Sequence, residues 1–300
     1  MEHQGLNLSR NPFVMGNDSL EQAPPAQKQP WPGYEQNMHP KVDHGEESYH
    51  GGAKLVGLKA LITGGDSGIG RAVSIAFARE GADVAITYFE ERDDALETVG
   101  WIQEAGHTGR AFQADLRDHQ DCEAVVDRAY HELNGLNILV NNAAVHIEKQ
   151  ELTQVSPEQL ENTFKTNFFS YLWVTQAALK YLQAGDVIIN TGSVTGFTGH
   201  KTLMDYAATK GAIHNFTKSL ALELAPRGIR VNCVSPGPVW TPLIPSTRDS
   251  DQVSRFGENT LWARPAQPCE IAPSFVFLAS TDARLYTSEI LSPAGSVLNL

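Results

Sequence analysis

The sequence predicts a doubly wound α/β fold, in which a parallel sheet of seven strands carries helices on both faces. Three observations support this prediction: short apolar runs alternate with helical patterns from residue 55 onward, the runs are apolar at nearly every position, and the first run leads into a glycine-rich turn. Strands covered on both faces of a parallel sheet have this continuous apolar character. Right-handed crossovers then place ligands beyond the carboxyl ends of the strands.

The first three strands lie close to the start of this pattern. The run at 58–63 is the first strand, and the glycines after it lead into a helical pattern that includes Phe77. This helix is expected to end before Gly81, since glycine commonly terminates helices. Apolar runs at 83–88 and 111–113 predict the second and third strands.

The remainder of the chain continues the alternation. The expected elements are strands at 138–140, 186–190, 229–234 and 289–291, and long helices at 157–183 and 203–224. The segment from Thr241 to Gln267 has no clear period and is expected to be an irregular loop over the substrate. Trp240, Phe256 and Trp262 lie at or near this loop, where they either wall a substrate or pack the loop on the core.

Composition and charge exclude several classes of protein. The chain has 300 residues, of which 41% are hydrophobic and 19% charged, as is typical of a globular protein with one or two domains. No apolar run approaches the roughly 18 residues that a membrane span needs. The net charge of −12 and the lack of a basic block disfavour nucleic-acid binding, because an acidic surface repels phosphates. We therefore expect a small-molecule substrate, with neither a membrane nor a nucleic acid as partner.

The cysteines and the start of the chain indicate the compartment. Cys122, Cys233 and Cys269 are far apart and form no CxxC pair, so neither a disulfide framework nor a zinc site is indicated, and no metal is expected. Free thiols are typical of a reducing compartment. The first residues lack the charged start and apolar segment of a secretory signal. We expect a cytoplasmic protein.

Residues 1–54 differ from the single domain expected at 55–300. This N-terminal arm has no sustained helical or strand period and carries six of the 16 prolines, at Pro12, Pro24, Pro25, Pro30, Pro32 and Pro40. Proline fixes φ and biases the preceding residue away from helix, so the arm is expected to be extended. One interpretation is a disordered tail. Its aromatic residues, Phe13, Trp31, Tyr34 and Tyr49, favour instead an arm that lies on the domain or on a neighbouring subunit.

The first strand leads into the glycine-rich turn Thr63–Gly70. Such glycines let the backbone approach a pyrophosphate, which then lies at the positive end of the following helix. A P-loop would require Lys followed by Ser or Thr after the last glycine, whereas Arg71 and Ala72 follow Gly70. The usual GxGxxG spacing of dinucleotide sites is also absent, because Gly64 and Gly68 are four residues apart.

A second set of residues indicates acid–base chemistry. Tyr206 and Lys210 are four apart in a predicted helix and therefore lie on one face. A free tyrosine has a pKa near 10, and a neighbouring ammonium lowers it, so that Tyr206 could exchange a proton with an alcohol or a carbonyl. Ser193 ends the fifth strand and offers a hydroxyl to the same oxygen. It is not a hydrolase nucleophile, because Thr191 replaces the first glycine of GxSxG.

Together these motifs resemble the short-chain dehydrogenase/reductase family in its compact form, from about residue 55 to the C-terminus. The matching residues, in the order of the family, are Thr63-Gly64, Gly68-Ile69-Gly70, Asn141-Asn142-Ala143-Ala144, Asn167, Ser193, Tyr206, Lys210 and Pro236-Gly237. The arm, through the segments 38–41 and 43–49, resembles an N-terminally extended subgroup called glucose/ribitol dehydrogenase-like or general-stress oxidoreductases. The resemblance implies a Rossmann fold and an NAD(P)-dependent enzyme that interconverts alcohols and carbonyls.

The resemblance also implies roles for individual residues. Tyr206 would be the general acid or base, Lys210 would lower its pKa and hold the nicotinamide ribose, and Ser193 would orient the substrate oxygen. Asn167 would keep a water molecule in the proton relay. The implied cofactor-binding residues are Gly64, Ser67, Ile69, Gly70, Asp115, Leu116, Asn142, Tyr206, Lys210, Pro236, Val239 and Thr241.

The choice between NAD and NADP is made at the end of the second strand. An acidic group there accepts the ribose 2′-hydroxyl, whereas a basic group binds the 2′-phosphate. Glu90 and Glu91 would repel a phosphate, although Arg92 follows them. The sequence therefore favours NAD.

The substrate is expected to be a sugar, a polyol, an aldehyde or a small ketone. A ketoreductase of secondary metabolism is an alternative, and a non-catalytic NAD(P)-binding regulator is an alternative of another class. Relatives are commonly tetramers that pair through the two long helices, so a homotetramer is expected. Apolar residues on several sides of the helix at 157–183 agree with this, namely Phe164, Phe168, Phe169, Leu172 and Trp173.

Overall fold

The computed structural model describes residues 23–295. Within them, seven strands form one parallel sheet in the order β3-β2-β1-β4-β5-β6-β7, which confirms the predicted fold class. The strands are β1 (Lys59–Ile62), β2 (Asp83–Tyr88), β3 (Gly109–Gln113), β4 (Ile138–Asn141), β5 (Val187–Thr191), β6 (Arg230–Val234) and β7 (Ile290–Leu291). The strand order reverses between β1 and β4, and a cleft for a ligand forms at such a switch point.

Helices pack on both faces of the sheet. They are α1 (Gly68–Arg79), α2 (Arg92–Glu104), α3 (His119–Leu133), α4 (Pro157–Phe164), α5 (Ser170–Ala178), α6 (Thr195–Thr198), α7 (Met204–Leu224), α8 (Leu243–Thr247), α9 (Ser250–Val253) and α10 (Pro268–Ala279). Ile62 of β1 packs in the same core cluster as Val73 of α1 and Phe275 of α10. Its neighbour Leu61 packs in the opposite cluster, with Val126 of α3 and side chains of α5 and α7. Successive strand residues thus enter two different cores, which explains why most strand residues are apolar.

The helix expected at 157–183 is interrupted. A π-helical turn, Lys165–Phe169, separates α4 from α5, and α5 ends at Ala178. The buried side chain of Asn167 lies in this turn and hydrogen-bonds both the N–H and the C=O of Val145, each at 2.8 Å. The apolar period continues through the turn, so the sequence pattern predicted one continuous helix. Single π turns of this kind are frequent at functional sites.

The segment expected to be an irregular loop contains two short helices. Helices α8 and α9 follow β6 and form, with the loops around them, a lid beside the cleft. Trp240 at the start of this lid is fully buried and packs against Met38 of the arm, whereas Trp262 is 71% exposed. The lid is therefore packed on the arm as well as on the core.

The described part of the arm, residues 23–54, lies on the domain of the same chain. The Tyr49 hydroxyl donates to Glu80 at 2.5 Å, and the Arg79 guanidinium donates to the Tyr49 carbonyl at 2.6 Å. Pro12 and Phe13, which also entered the prediction of an arm, fall outside the described residues. None of the helices in residues 23–295 has both the length and the apolar character needed to cross a membrane.

Candidate active site

A cavity of about 800 Å³ lies at the carboxyl ends of the strands. It runs from Phe89 after β2, past the glycine-rich turn, to Arg248 and Phe256 of the lid. Of the cofactor-binding residues expected from the sequence, the cavity is lined by Gly64, Ser67, Ile69, Asp115, Leu116, Asn142, Tyr206, Lys210, Pro236, Val239 and Thr241. The structure thus gathers residues from widely separated parts of the chain along one cleft.

The glycine-rich turn forms the middle of this cleft. Gly64 and Gly68 have φ values of +61° and +50°, which side-chain-bearing residues rarely adopt. Gly70 does not line the cavity: it lies behind it, where a Cβ would come within 1.9 Å of the Gly64 carbonyl oxygen. Close contact between β1 and α1 therefore requires glycine at this position.

The start of α1 fits a pyrophosphate. Both Ser67 and Ile69 line the cavity, and no acceptor in the described part of the chain pairs with the N–H of Ile69 or of Gly70. Unpaired N–H groups and the helix dipole favour an anion at this position. Asn142 holds the turn in place, because its amide donates to the carbonyl oxygens of Thr63 and Gly64 at 3.1 and 3.0 Å.

Acidic groups and one arginine lie at the adenosine end expected from the resemblance. Asp66 and Glu91 are both buried and line the cavity. Burial, and then the charge of Glu91, raise the pKa of Asp66 to about 7. Asp115 pairs with Arg117 at 2.6 Å, and the Arg117 guanidinium lies 5.2 Å from the centroid of the Phe89 ring. Arg92, the basic residue noted in the sequence, is exposed and does not line the cavity.

Three of the four expected catalytic side chains line the cavity together. Ser193 follows β5, and Tyr206 and Lys210 lie on α7, with the Lys210 Nζ 5.5 Å from the centroid of the Tyr206 ring. Lys210 is almost fully buried, and its ammonium donates to the Thr191 carbonyl at 2.7 Å. Asn167 is fully buried behind this group, where it bonds to the backbone after β4.

Burial shifts the pKa values of Tyr206 and Lys210 in opposite directions, and in both groups it disfavours the charged form. Burial raises the pKa of Tyr206 to about 12, while hydrogen bonding to Ser193 and the charge of Arg248 act to lower it. Burial also lowers the pKa of Lys210 to about 8. The expected lowering of the Tyr206 pKa by Lys210 is not seen: the ammonium donates to the Thr191 carbonyl, and burial is the main influence on the phenol. At neutral pH the phenol therefore keeps its proton.

Polar side chains surround the end of the cavity next to Tyr206. His146 and Arg248 line it, and the Arg248 guanidinium pairs with Glu148 at 3.0 Å behind the cavity wall. Burial lowers the pKa of His146 to about 3, so its imidazole is neutral. Of the three aromatic residues expected at the loop, Phe256 lines the cavity, which agrees with the interpretation that they wall a substrate. Trp240 and Trp262 do not line it.

Several residues of the cleft were missed by reasoning from the sequence. Trp31, Arg117 and Arg248 line the cavity, and Glu35 of the arm contacts the first residue of α1. No local pattern marks these residues, since each reaches the cleft through tertiary packing. Among residues 23–295, no cluster of three or more His, Cys, Asp or Glu side chains could hold a metal ion.

Comparisons with known proteins show which family the chain resembles. A family model described as enoyl-(acyl carrier protein) reductase matches residues 64–295. General stress protein 39 of Bacillus subtilis is 46% identical over 272 residues, which cover 90% of this chain and 95% of that protein. Glucose and ribitol dehydrogenase of Daucus carota is 43% identical over 283 residues, or 92% and 97% of the two chains. A crystal structure of a short chain dehydrogenase from Burkholderia cenocepacia in complex with NADP is 32% identical, with a TM-score of 0.76, and covers 81% of this chain and 98% of that chain.

Proposed function

The chain belongs to the short-chain dehydrogenase/reductase family of NAD(P)-dependent oxidoreductases. On that premise we propose that it interconverts an alcohol and the corresponding carbonyl compound, with Tyr206 exchanging the proton. The observation that carries this proposal is the grouping of Ser193, Tyr206 and Lys210 at one end of a cleft whose middle fits a pyrophosphate. When bound, the nicotinamide supplies or accepts the hydride. The reaction then requires from the protein a proton at the substrate oxygen and a fixed geometry.

Each polar residue of this group has a separate task in the proposed mechanism. Tyr206 donates its phenolic proton to the carbonyl oxygen during reduction, as general acid catalysis requires. Ser193 orients that oxygen by hydrogen bonding. Lys210, fixed at the Thr191 carbonyl, holds the nicotinamide ribose and stabilises the phenolate that forms. Asn167 acts as a positioning residue, because its two hydrogen bonds fix the backbone at Val145 beside the cavity.

The direction favoured near neutral pH is reduction of the carbonyl. A phenol with a pKa of about 12 is fully protonated at pH 7 and is ready to donate a proton. Oxidation of an alcohol would require the phenolate, which burial makes costly. We therefore expect the rate of alcohol oxidation to increase with rising pH, because oxidation requires the phenolate. Reduction uses the protonated phenol.

The cofactor is proposed to be NAD(H) in preference to NADP(H). Asp66 and Glu91 place two carboxyl groups at the adenosine end of the cleft, where they can accept the ribose hydroxyl and would repel a 2′-phosphate. The nearby positive charge of Arg117 is neutralised by Asp115 at 2.6 Å. The Burkholderia relative was crystallised with NADP, so binding of both dinucleotides must be compared directly.

The substrate is proposed to be a sugar, a polyol or a small hydroxylated aldehyde. Arg248 brings N–H groups to the cavity beside Tyr206, and the neutral imidazole of His146 adds a further polar edge. Since Glu148 neutralises the guanidinium, the subsite suits hydroxyl oxygens better than an anionic group. These polar groups favour such a substrate over the large apolar substrate of a secondary-metabolite ketoreductase.

The assembly is proposed to be a cytoplasmic homotetramer paired through α4, α5 and α7. Phe164, Phe168, Phe169 and Trp173 form a chain of ring contacts on these helices, and Phe169 is still 38% exposed in the single chain. Exposed aromatic clusters commonly mark an interface. A monomer in analytical ultracentrifugation would contradict this proposal.

The reaction is tested by comparing wild type with Tyr206→Phe. Cofactor binding is measured by fluorescence titration with NADH and NADPH, and turnover with a panel of aldehydes, ketones, sugars and polyols. We expect both proteins to bind the preferred cofactor and only wild type to turn over. Tyr286→Phe, an exposed tyrosine outside the cavity, is the matched control and should retain full activity. Turnover by Tyr206→Phe at the wild-type rate would exclude the mechanism, and binding without turnover on any substrate would support a regulator.

A further inference from the structure

A segment of the N-terminal arm crosses the cofactor cleft. Trp31, Pro32 and Gly33 line the same cavity as the glycine-rich turn. On one side, the Trp31 ring lies 6.0 Å from the ring of Phe89, which follows β2. On the other side, Gly33 lies against Pro242 of the lid, so closely that a Cβ on Gly33 would come within 2.6 Å of the Pro242 carbonyl oxygen. The segment therefore connects the adenosine end of the cleft with the lid.

A buried ion pair anchors this segment to the first turn of α1. One carboxylate oxygen of Glu35 accepts from the N–H of Gly68 at 2.7 Å and from Nε2 of His44 at 2.9 Å. The side chains of Glu35 and His44 are only 5% and 3% exposed. Burial alone would lower the pKa of His44, but the carboxylates of Glu35 and Glu46 raise it to about 9, so the pair is charged at neutral pH. Since Gly68 lies in the turn that fits a pyrophosphate, the arm fixes the geometry of that turn.

The arm is also fixed to the lid. The N–H of Gln29 donates to the Pro245 carbonyl at 2.8 Å, and the indole N–H of Trp240 donates to the Pro40 carbonyl at 3.0 Å. Met38 packs with Trp240 and with apolar side chains of the lid. Both ends of the segment at 29–35 are thus held by the domain, Gln29 by the lid and Glu35 by the first turn of α1.

We propose that residues 29–35 form an additional wall of the cofactor site, under which an adenine dinucleotide binds, with Trp31 and Phe89 closing its adenosine end. Glu35 is a positioning residue in this site, because it acts through the N–H of Gly68. This inference goes beyond the proposed reaction and rests on it only in requiring a dinucleotide in the cleft. One consequence is kinetic: the dinucleotide leaves only when the segment moves away from Phe89 or from the lid, so the arm slows dissociation.

The proposal is tested with the full-length protein by fluorescence titration and stopped-flow dissociation of NADH and NADPH. Trp31→Ala removes the ring contact with Phe89. We expect the dissociation rate of the dinucleotide from this variant to rise about five- to tenfold, with a similar increase in Kd. Trp262→Ala, which removes an exposed indole outside the cavity, is the matched control and should bind as wild type does. Unchanged rates in Trp31→Ala would overturn the proposal.

Glu35 is tested by a pair of variants. Glu35→Ala removes the acceptor of the Gly68 N–H and should raise Kd, whereas Glu35→Gln keeps an acceptor oxygen and should restore much of the affinity. A merely structural role would lower Tm in both variants without this difference in Kd.

Cofactor should also protect Lys28 and Lys41, on either side of the segment, from cleavage by trypsin. Equal cleavage with and without cofactor would count against the arm as a wall. If wild type binds neither dinucleotide, the proposed function itself fails.

Discussion

Raising the pH is expected to slow carbonyl reduction through the loss of one proton from Lys210. Burial lowers the pKa of Lys210 from 10.5 to about 8 and raises the pKa of Tyr206 to about 12. Between these two values the phenol keeps its proton while the lysine becomes neutral. Because the proposed mechanism requires a charged Lys210 to stabilise the phenolate that forms at Tyr206, the reduction rate should fall with the fraction of ammonium.

The size of this effect follows from the pKa of Lys210. With a pKa of about 8, roughly 90% of the lysine is charged at pH 7 and roughly 10% at pH 9, so kcat/KM for reduction should fall by nearly tenfold. An unperturbed lysine would keep its charge over the whole of this range. The three histidines near the site do not interfere, since burial lowers the pKa of His146 to about 3, that of His214 to about 4 and that of His200 below its ordinary value.

The assay is kcat/KM for reduction of one aldehyde from pH 6 to pH 10, since this parameter reports the ionisations of the free enzyme. His44, with a pKa of about 9, and Asp66, with a pKa of about 7, titrate in the same range, so the profile is repeated with His44→Gln and with Asp66→Asn. Lys218→Gln changes an exposed lysine on the same helix and should leave the profile unchanged. A level wild-type profile up to pH 10 would refute the reasoning, and a fall that vanishes in His44→Gln would assign it to the arm.

Three further substitutions test separate parts of the site. Asn167→Ala leaves the buried N–H and C=O of Val145 without their side-chain partner and should cost about 2–3 kcal/mol of unfolding free energy, measured by urea denaturation. Asp66→Asn removes a carboxyl group from the adenosine end and should reduce the preference for NADH over NADPH by about tenfold in fluorescence titrations, an effect of about 1.4 kcal/mol; an unchanged ratio would remove Asp66 from cofactor selection. Arg248→Met should raise KM for a hydroxylated aldehyde at least about fivefold, with little change in kcat. For the alkyl aldehyde of equal length, which has no hydroxyl group to bind, KM should not change.

The fold and the main motifs were predictable because they depend on local sequence. A strand buried on both faces is apolar at most positions, so β1 to β6 are visible as largely apolar runs, with ends that differ from the predicted ones by at most two residues. The glycines at Gly64 and Gly68 are required by a backbone conformation with positive φ, and the spacing of Tyr206 and Lys210 places them on one helical face. These features need no knowledge of distant parts of the chain.

The remaining features depend on contacts between distant segments. The π turn at Asn167 arises because the amide bonds to the backbone at Val145, 22 residues earlier, and the apolar period gives no sign of it. Likewise, Arg248 reaches the cavity only through the tertiary packing of the lid, and its partner Glu148 is 100 residues away. The lowered pKa of Lys210 could not be predicted from the sequence either, because it results from burial, which depends on the tertiary packing around the side chain.

One physical cause explains both ionisation states at the proposed reaction centre. Burial disfavours charge, so it raises the pKa of Tyr206 and lowers that of Lys210, yet both values leave the pair at neutral pH as a phenol beside an ammonium. This is the state that proton donation to a carbonyl requires. Because the arm packs Met38 against the lid that covers this end of the cavity, it helps to maintain the burial on which both values depend.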